Sequence, residues 1–338
     1  MIVSLRKRWA PAALALIMLL SGVAPAQSGR RLPRTVEKGD DEVKLGTSEV
    51  VLPVTVRNEY GHLVRGLRVD DFVILEDNKR QKVTSFSVEQ VAVNVVLLLD
   101  ASGSVFTEIP AIREAANRFT EQFTEQDKFA AVQFADKVEV IQDWTSNRDD
   151  IKHALAWKYK SGNSTLFYDA LEKTCTDLLS KVEGRKVIIL LTDGVDTESK
   201  TTMDRAFNAA VRAQATVYVV SKVKGIINHI QKEYGGIGGV LTGTSGMARL
   251  YIQQLLEAER RLAQLAEMTG GTMYSPIENA DLKKAYRDVA EEIKGQYVIT
   301  YISSNEGQDG RFRQIKVALS QAGYTAYSRQ GYYAAKNP

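Results

Sequence analysis

The fold predicted by this 338-residue sequence is a doubly wound α/β unit set into a β-sandwich that is split between the two ends of the chain. Three observations lead there. Through the middle of the chain, fully apolar runs such as VAVNVVLLLD and RKVIILLTD alternate with helical stretches, the pattern of a parallel sheet covered on both faces. Ahead of that region lie short strands with period-2 patterning, and the same texture returns behind it. Neither flank has enough strands for a closed sandwich, but together they supply about six.

The elements follow in chain order. Residues 1–26 combine a positive patch (Arg6, Lys7, Arg8), an apolar run over 12–20 and the small-residue pattern Ala24-Pro25-Ala26. That layout predicts a secretory signal peptide, and hence a secreted or periplasmic protein. The apolar run is shorter than the roughly 20 residues a membrane span needs. Residues 27–42 are polar and mixed in charge and predict a flexible linker. The first part of the sandwich is expected over 43–90. There Val50, Leu52, Val54 and Val56 share one strand face, DDFVILED stops at Asp77-Asn78, and QKVTSFSV forms a third strand.

The α/β unit is expected over 91–295. Its first strand ends at Asp100 and a helix follows over 108–124. The strand pair DKFAAVQFA and KVEVIQDW turns at Asp136-Lys137, and helices cover 148–157 and 166–182. The strand RKVIILLTD ends at Asp193, and a helix over 202–214 leads into the strand ATVYVVSKV. A break over 224–256, containing GGIGGVLTGTSG, reads as a long insertion: a binding loop or a surface excursion. Its glycines match neither phosphate-binding spacing. A helix over 257–268, a short strand over 271–275 and a helix over 280–294 complete the unit. The second part of the sandwich is expected over 296–335, with its late tyrosines (Tyr297, Tyr301, Tyr324, Tyr327, Tyr332, Tyr333) as core and edge packing.

Composition removes several function classes. The net charge of +3 resides in the leader, which holds three cations and no acid, so the rest of the chain is formally neutral. A nucleic-acid binder needs a large cationic surplus instead. With 44% hydrophobic residues the chain can build a core, unlike a disordered acidic tail. The single cysteine, Cys175, allows no internal disulfide, and its spacing with Leu171 and Leu178 predicts a buried small hydrophobe. The three histidines, His62, His153 and His229, lack zinc-ligand spacing. A nucleophile elbow is absent, because Gly243-Thr244-Ser245-Gly246-Met247 breaks the G-x-S-x-G spacing.

Open α/β sheets bind ligands beyond the carboxyl ends of their strands. Here those ends carry Asp100-Ala101-Ser102-Gly103-Ser104 and Asp193-Gly194, and the loop GNSTLFYDAL offers Thr165. Asp100, Ser102, Ser104, Thr165 and Asp193 are all hard oxygen donors, suited to Mg²⁺ or to Mn²⁺ or Ca²⁺. The alternate spacing of the first three lets a turning backbone, eased by Gly103, aim them at one point. Two carboxylates about 4 Å apart repel by roughly 4 kcal/mol at an effective dielectric of 20, which a divalent cation removes. Hydroxyl donors add no charge, so such a cation can accept one more oxygen from a partner's carboxylate. Asp196 and Glu198 read as local caps.

These residues resemble the metal-ion-dependent adhesion site, or MIDAS, of the von Willebrand factor type A (VWFA) family. Asp100-x-Ser102-x-Ser104 is similar to its D-x-S-x-S motif. Thr165 is similar to the threonine of its T-x-L-Y-D-A-L-like segment, with Phe167 in the leucine position, and Asp193 to its T-D-G aspartate. V-D-D-F-V-I-L-E-D-N, Q-Y-V-I-T-Y and R-Q-G-Y-Y in the flanks resemble the exported bacterial VWFA-related proteins. The resemblance implies a Rossmann-like fold with one antiparallel edge strand, here KVEVIQDW, and binding rather than catalysis. It implies Ser102, Ser104 and Thr165 as direct metal contacts, Asp100 and Asp193 acting at least partly through water, and a protein partner presenting an Asp or Glu. The insertion at 224–256 is the main departure. The competing reading is a metal-assisted hydrolase of phosphates or esters, for which Asp196 is the one general base within reach.

Overall fold

The computed structural model describes residues 49–88, 91–103, 108–233 and 246–336. The leader, the linker and the glycine-rich centre of the break lie outside the described residues.

The middle of the chain builds a six-stranded sheet in the order β10-β9-β8-β5-β6-β7. Its strands are β5 (Val93–Asp100), β6 (Lys128–Phe134), β7 (Val138–Thr145), β8 (Arg185–Thr192), β9 (Thr216–Ser221) and β10 (Met273–Tyr274). All neighbours run parallel except β7, which turns back antiparallel on β6 at the edge, as the resemblance implies. The apolar runs are explained by burial on both faces. Along β5, Val93, Val95, Leu97 and Leu99 pack under α1 (Ile109–Thr120), α2 (Arg148–Trp157) and α7 (Asn279–Gly295). Val96 and Leu98 point the other way, under α3 (Phe167–Lys173), α4 (Met203–Arg212) and α6 (Gly246–Thr269). Cys175 sits in the second of these cores with Leu171 and Leu178, and its burial pushes the thiol up to about 12.

The chain ends meet in two four-stranded antiparallel sheets, β13-β1-β11-β4 and β14-β12-β2-β3. From the front come β1 (Glu49–Asn58), β2 (Phe72–Glu76), β3 (Lys79–Arg80) and β4 (Val83–Ser87). From the back come β11 (Tyr297–Ile302), β12 (Phe312–Leu319), β13 (Tyr324–Tyr327) and β14 (Gly331–Tyr333). These eight strands exceed the six expected because β3 and β14 are only two and three residues long, too short to leave a periodic signal. Asp77 and Asn78 both have positive φ, 47° and 64°, the conformation of a tight hairpin turn between β2 and β3. The two sheets share one core, in which Val50, Leu52, Val54 and Val56 of β1 lie with Ile74, Ile299, Ile315 and Tyr332. The Phe72, Phe86 and Tyr297 rings pack at centroid distances of 5.1 to 5.8 Å.

Both crossings between the two parts gather at Arg185, at the amino end of β8. Its guanidinium donates to Val91 O on the way in, and to Ile293 O and Gln296 Oε1 on the way out. The parallel strands therefore start at the base, and their carboxyl ends lie a strand length away, roughly 25 Å.

Three sequence expectations are corrected. The first helix stops at Thr120 rather than at 124. The stretch expected as one helix over 166–182 breaks after Lys173 into a wider turn over Thr174–Leu178 and a tighter one over Leu179–Lys181. The described parts of the break at 224–256 are helical: α5 covers Val223–Glu233, and α6 begins at Gly246, eleven residues before the predicted helix start at 257. The apolar spacing of α6 continues upstream through Leu250, Tyr251 and Leu255, behind a glycine-rich stretch that masks it.

Candidate metal centre

The carboxyl ends of β5 and β8 are neighbours in the sheet, and each delivers one carboxylate. Asp100 closes β5 with no exposed surface, and Asp193, following β8, is 4% exposed. Asp100 Oδ1 accepts the Ser102 amide at 2.9 Å and Oδ2 accepts the Thr192 hydroxyl at 2.7 Å. The Tyr159 hydroxyl donates to the Asp100 carbonyl. Asp193 Oδ1 accepts the Val195 amide at 3.0 Å.

Thr165 reaches the same end of the sheet from the loop ahead of α3 and is 5% exposed. Its amide donates to Thr197 Oγ1 at 2.8 Å, and its carbonyl accepts the Thr197 amide at 3.0 Å. Thr197 therefore fastens the Thr165 loop to the Asp193 loop. Asp196 is a cap, as expected: it accepts the Tyr168 amide in the first turn of α3 at 3.1 Å and the Ser199 hydroxyl at 2.6 Å. Of the five candidate ligands, Asp100, Ser102, Thr165 and Asp193 thus converge on one end of the sheet. Ser104 lies outside the described residues.

The role expected of Gly103 is corrected. It does not use the left-handed backbone, and an added Cβ would meet only Gly162 O at 3.8 Å. The demanding glycine is Gly194, with φ +77° and Leu262 Cδ1 of α6 only 2.7 Å from where a Cβ would stand. Helix α6 therefore packs directly on the Asp193 loop. Between them lies a cleft of about 520 Å³ lined by Tyr168, Val195, Asp196, Leu250, Gln254 and Arg261.

Burial, and then the charge of Asp193, push the Asp100 carboxyl up to about 7, against the hydrogen bonds from Ser102 and Thr192. Tyr251 of α6 is pushed up to about 12 by burial and by the charges of Asp193 and Asp100. Lys222, just past β9, is 5% exposed and forms an ion pair with Glu108 ahead of α1. Its burial pulls the ammonium down to about 8, while the charge of Asp100 acts the other way.

Among the described residues, no group of three or more His, Cys, Asp or Glu side chains could hold a metal ion. A cation here would rest on two carboxylates plus hydroxyl oxygens, and this donor set fits a hard divalent ion. Thr192, Thr197, Tyr159, Lys222 and Glu108 were not singled out from the sequence. For Lys222 a signal existed, since it is the one charged residue in the predicted strand ATVYVVSKV.

Comparison with known proteins gives the following. The von Willebrand factor type A domain family matches residues 94–239. No curated protein matches the chain. Among solved structures, it is similar to proximal thread matrix protein 1 from the mussel byssus with a zinc occupied MIDAS motif. The identity is 17%, with 65% of this chain and 50% of that one covered, at a TM-score of 0.48. It is similar to a von Willebrand factor type A protein from Catenulispora acidiphila (15% identity, 86% and 74% covered, TM-score 0.46). It is also similar to the vWF domain of the type V pili tip protein Mfa5 from Porphyromonas gingivalis (13% identity, 60% and 95% covered, TM-score 0.44). The chain spans about half the length of the mussel structures it matches.

Proposed function

From the premise that residues 94–239 are a von Willebrand factor type A domain, we propose that this protein is an exported, metal-dependent protein-binding module, not an enzyme. Its partner would be a protein presenting an Asp or Glu carboxylate. The observation that carries this reading is the pair of buried carboxylates, Asp100 and Asp193, on adjacent strand ends, with the charge of Asp193 felt at Asp100. When bound, a divalent cation such as Mg²⁺, Mn²⁺ or Ca²⁺ would offer an open position to a partner's carboxylate oxygen. The residues that would hold it are Asp100, Ser102, Ser104, Thr165 and Asp193. Thr192 and the Ser102 amide keep the Asp100 carboxylate oriented, and Thr197 keeps Thr165 beside it.

The domain layout belongs to the same proposal: a signal peptide over 1–26, a linker over 27–42, sandwich parts over 43–90 and 296–335, and a metal-binding unit over 91–295. With the crossings gathered at Arg185, the sandwich would hold the adhesive face away from its base. Among the described residues, no helix is long and apolar enough to cross a membrane.

The hydrolase reading loses support from Asp196, whose oxygens already accept hydrogen bonds from Tyr168 and from Ser199. A thermal unfolding series with Mg²⁺, Mn²⁺ and Ca²⁺, repeated on Asp100→Ala, tests the metal claim; no metal-dependent rise in the parent protein removes it. A pull-down with and without EDTA tests the partner claim, with capture expected only in the presence of metal. Phosphoester turnover that Asp193→Ala abolishes would favour the hydrolase.

A further inference from the structure

The position of Lys222 bears on the metal centre from a side that the ligand set does not include. Its amide donates to Thr192 O at 3.0 Å, which fixes it beside the strand end that delivers Asp193. Its side chain is 6% exposed and is ion-paired to Glu108. Glu108 stands just ahead of α1, at the far end of the segment that begins with Asp100. The ammonium is also close enough to Asp100 to feel its charge. An ammonium is costly to bury unless nearby negative charge compensates it. Lys222 is thus a buried positive charge paired with Glu108, at a strand end next to the one that delivers Asp193 and within reach of the charge of Asp100.

We propose that Lys222 is a built-in counter-cation: in the metal-free protein it ties the ends of β8 and β9 to Glu108 ahead of α1, and it lowers the affinity of the site for a divalent ion. The inference rests on the metal-site reading above. Its logic is additive charge. The ammonium cancels part of the negative potential that the carboxylates offer to a second cation, and Glu108 in turn moderates the ammonium. Removing Lys222 should therefore strengthen divalent binding, and removing the Glu108 charge should weaken it. A purely structural pin gives no such opposite signs, since breaking the same pair from either side would disturb the site in the same sense.

The test is calorimetric titration of the full-length protein with Mn²⁺ at pH 7, together with thermal midpoints in EDTA. Lys222→Met is expected to bind Mn²⁺ about tenfold more tightly and to unfold at a lower temperature in EDTA. Glu108→Gln is expected to bind about tenfold more weakly, and Lys222→Arg, which keeps the charge, to match the parent. Unchanged affinity in both charge-removing variants, or a loss in both, overturns the proposal while leaving the metal site intact. A parent protein that binds no Mn²⁺ overturns both. Should Lys222→Met fail to fold, Glu108→Gln decides: weaker binding at an unchanged EDTA midpoint supports the proposal, and unchanged binding overturns it.

Discussion

The Thr192 hydroxyl donates to Asp100 Oδ2 at 2.7 Å and accepts the Gly194 amide at 2.9 Å, so one side chain joins the ends of β8 and β5 and shapes the loop that carries Asp193. Both Thr192 and Asp100 are wholly buried. Thr192→Val keeps the shape and removes both bonds, leaving a buried carboxylate oxygen and a buried amide without this partner. The expected loss of stability is about 1–3 kcal/mol, measured by urea unfolding in EDTA. Metal-induced stabilisation is expected to shrink as well, because Asp100 loses its orienting bond.

The Asp100 carboxyl, pushed up to about 7 by burial and by Asp193, sets a pH dependence for the metal-free protein. Its folded value lies above the unfolded value of about 3.9. Its contribution to stability is therefore fully present below the unfolded value and is lost as pH rises through the folded one. In EDTA, stability is expected to fall between about pH 4 and pH 7, and Asp100→Asn is expected to flatten that fall. Urea midpoints across this range decide the matter; identical slopes for parent and variant would contradict it.

Gly194 combines a φ of +77° with Leu262 only 2.7 Å from the place of a Cβ. Gly194→Ala is expected to cost about 1–3 kcal/mol in backbone strain alone, with α6 forced off the Asp193 loop in addition. Thermal unfolding with and without Mn²⁺ checks this. A variant with the parent's midpoint and metal response would show that α6 is not pressed against the loop.

Glu292 of α7 is a polar link between the six-stranded sheet and β1. It accepts from Thr55, Arg57, Thr272 and Tyr274, with Arg57 at 2.5 Å, and is 1% exposed. Glu292→Ala leaves Arg57 and three hydroxyls without their acceptor, at an expected cost of about 3 kcal/mol. Because β10, beside which Glu292 accepts these bonds, lies three strands across the sheet from β5 and Asp100, Mn²⁺ affinity is expected to stay at the parent value. Calorimetry on the folded variant would reveal any coupling.

Much of the fold was legible because burial on two faces writes an unbroken apolar run and burial on one face writes an alternating one. Both signals survive in β5, β8 and β1. The start of α6 was not legible, since glycines upstream hid its apolar spacing. The antiparallel turn of β7 came from the resemblance rather than from periodicity, which does not carry strand direction. At the site, the residues with metal-donor chemistry were readable: Asp100, Ser102, Thr165 and Asp193 do reach one end of the sheet. The residues that hold them were not. Thr192 lies 92 positions from the Asp100 it orients, and nothing in either local segment states that they touch.

By itself the sequence determined which strand ends offer hard oxygen donors, which segments must be buried, and that strands from both ends of the chain belong together, because these depend on residue type and local period. Only the tertiary structure decided that Lys222 and Glu108 sit beside the carboxylate pair, that α6 lies against the Asp193 loop, and that Arg185 ties both crossings at the base. Contacts of that kind depend on which strands become neighbours, and strand order is set by the packing of the whole sheet rather than by any one stretch of chain.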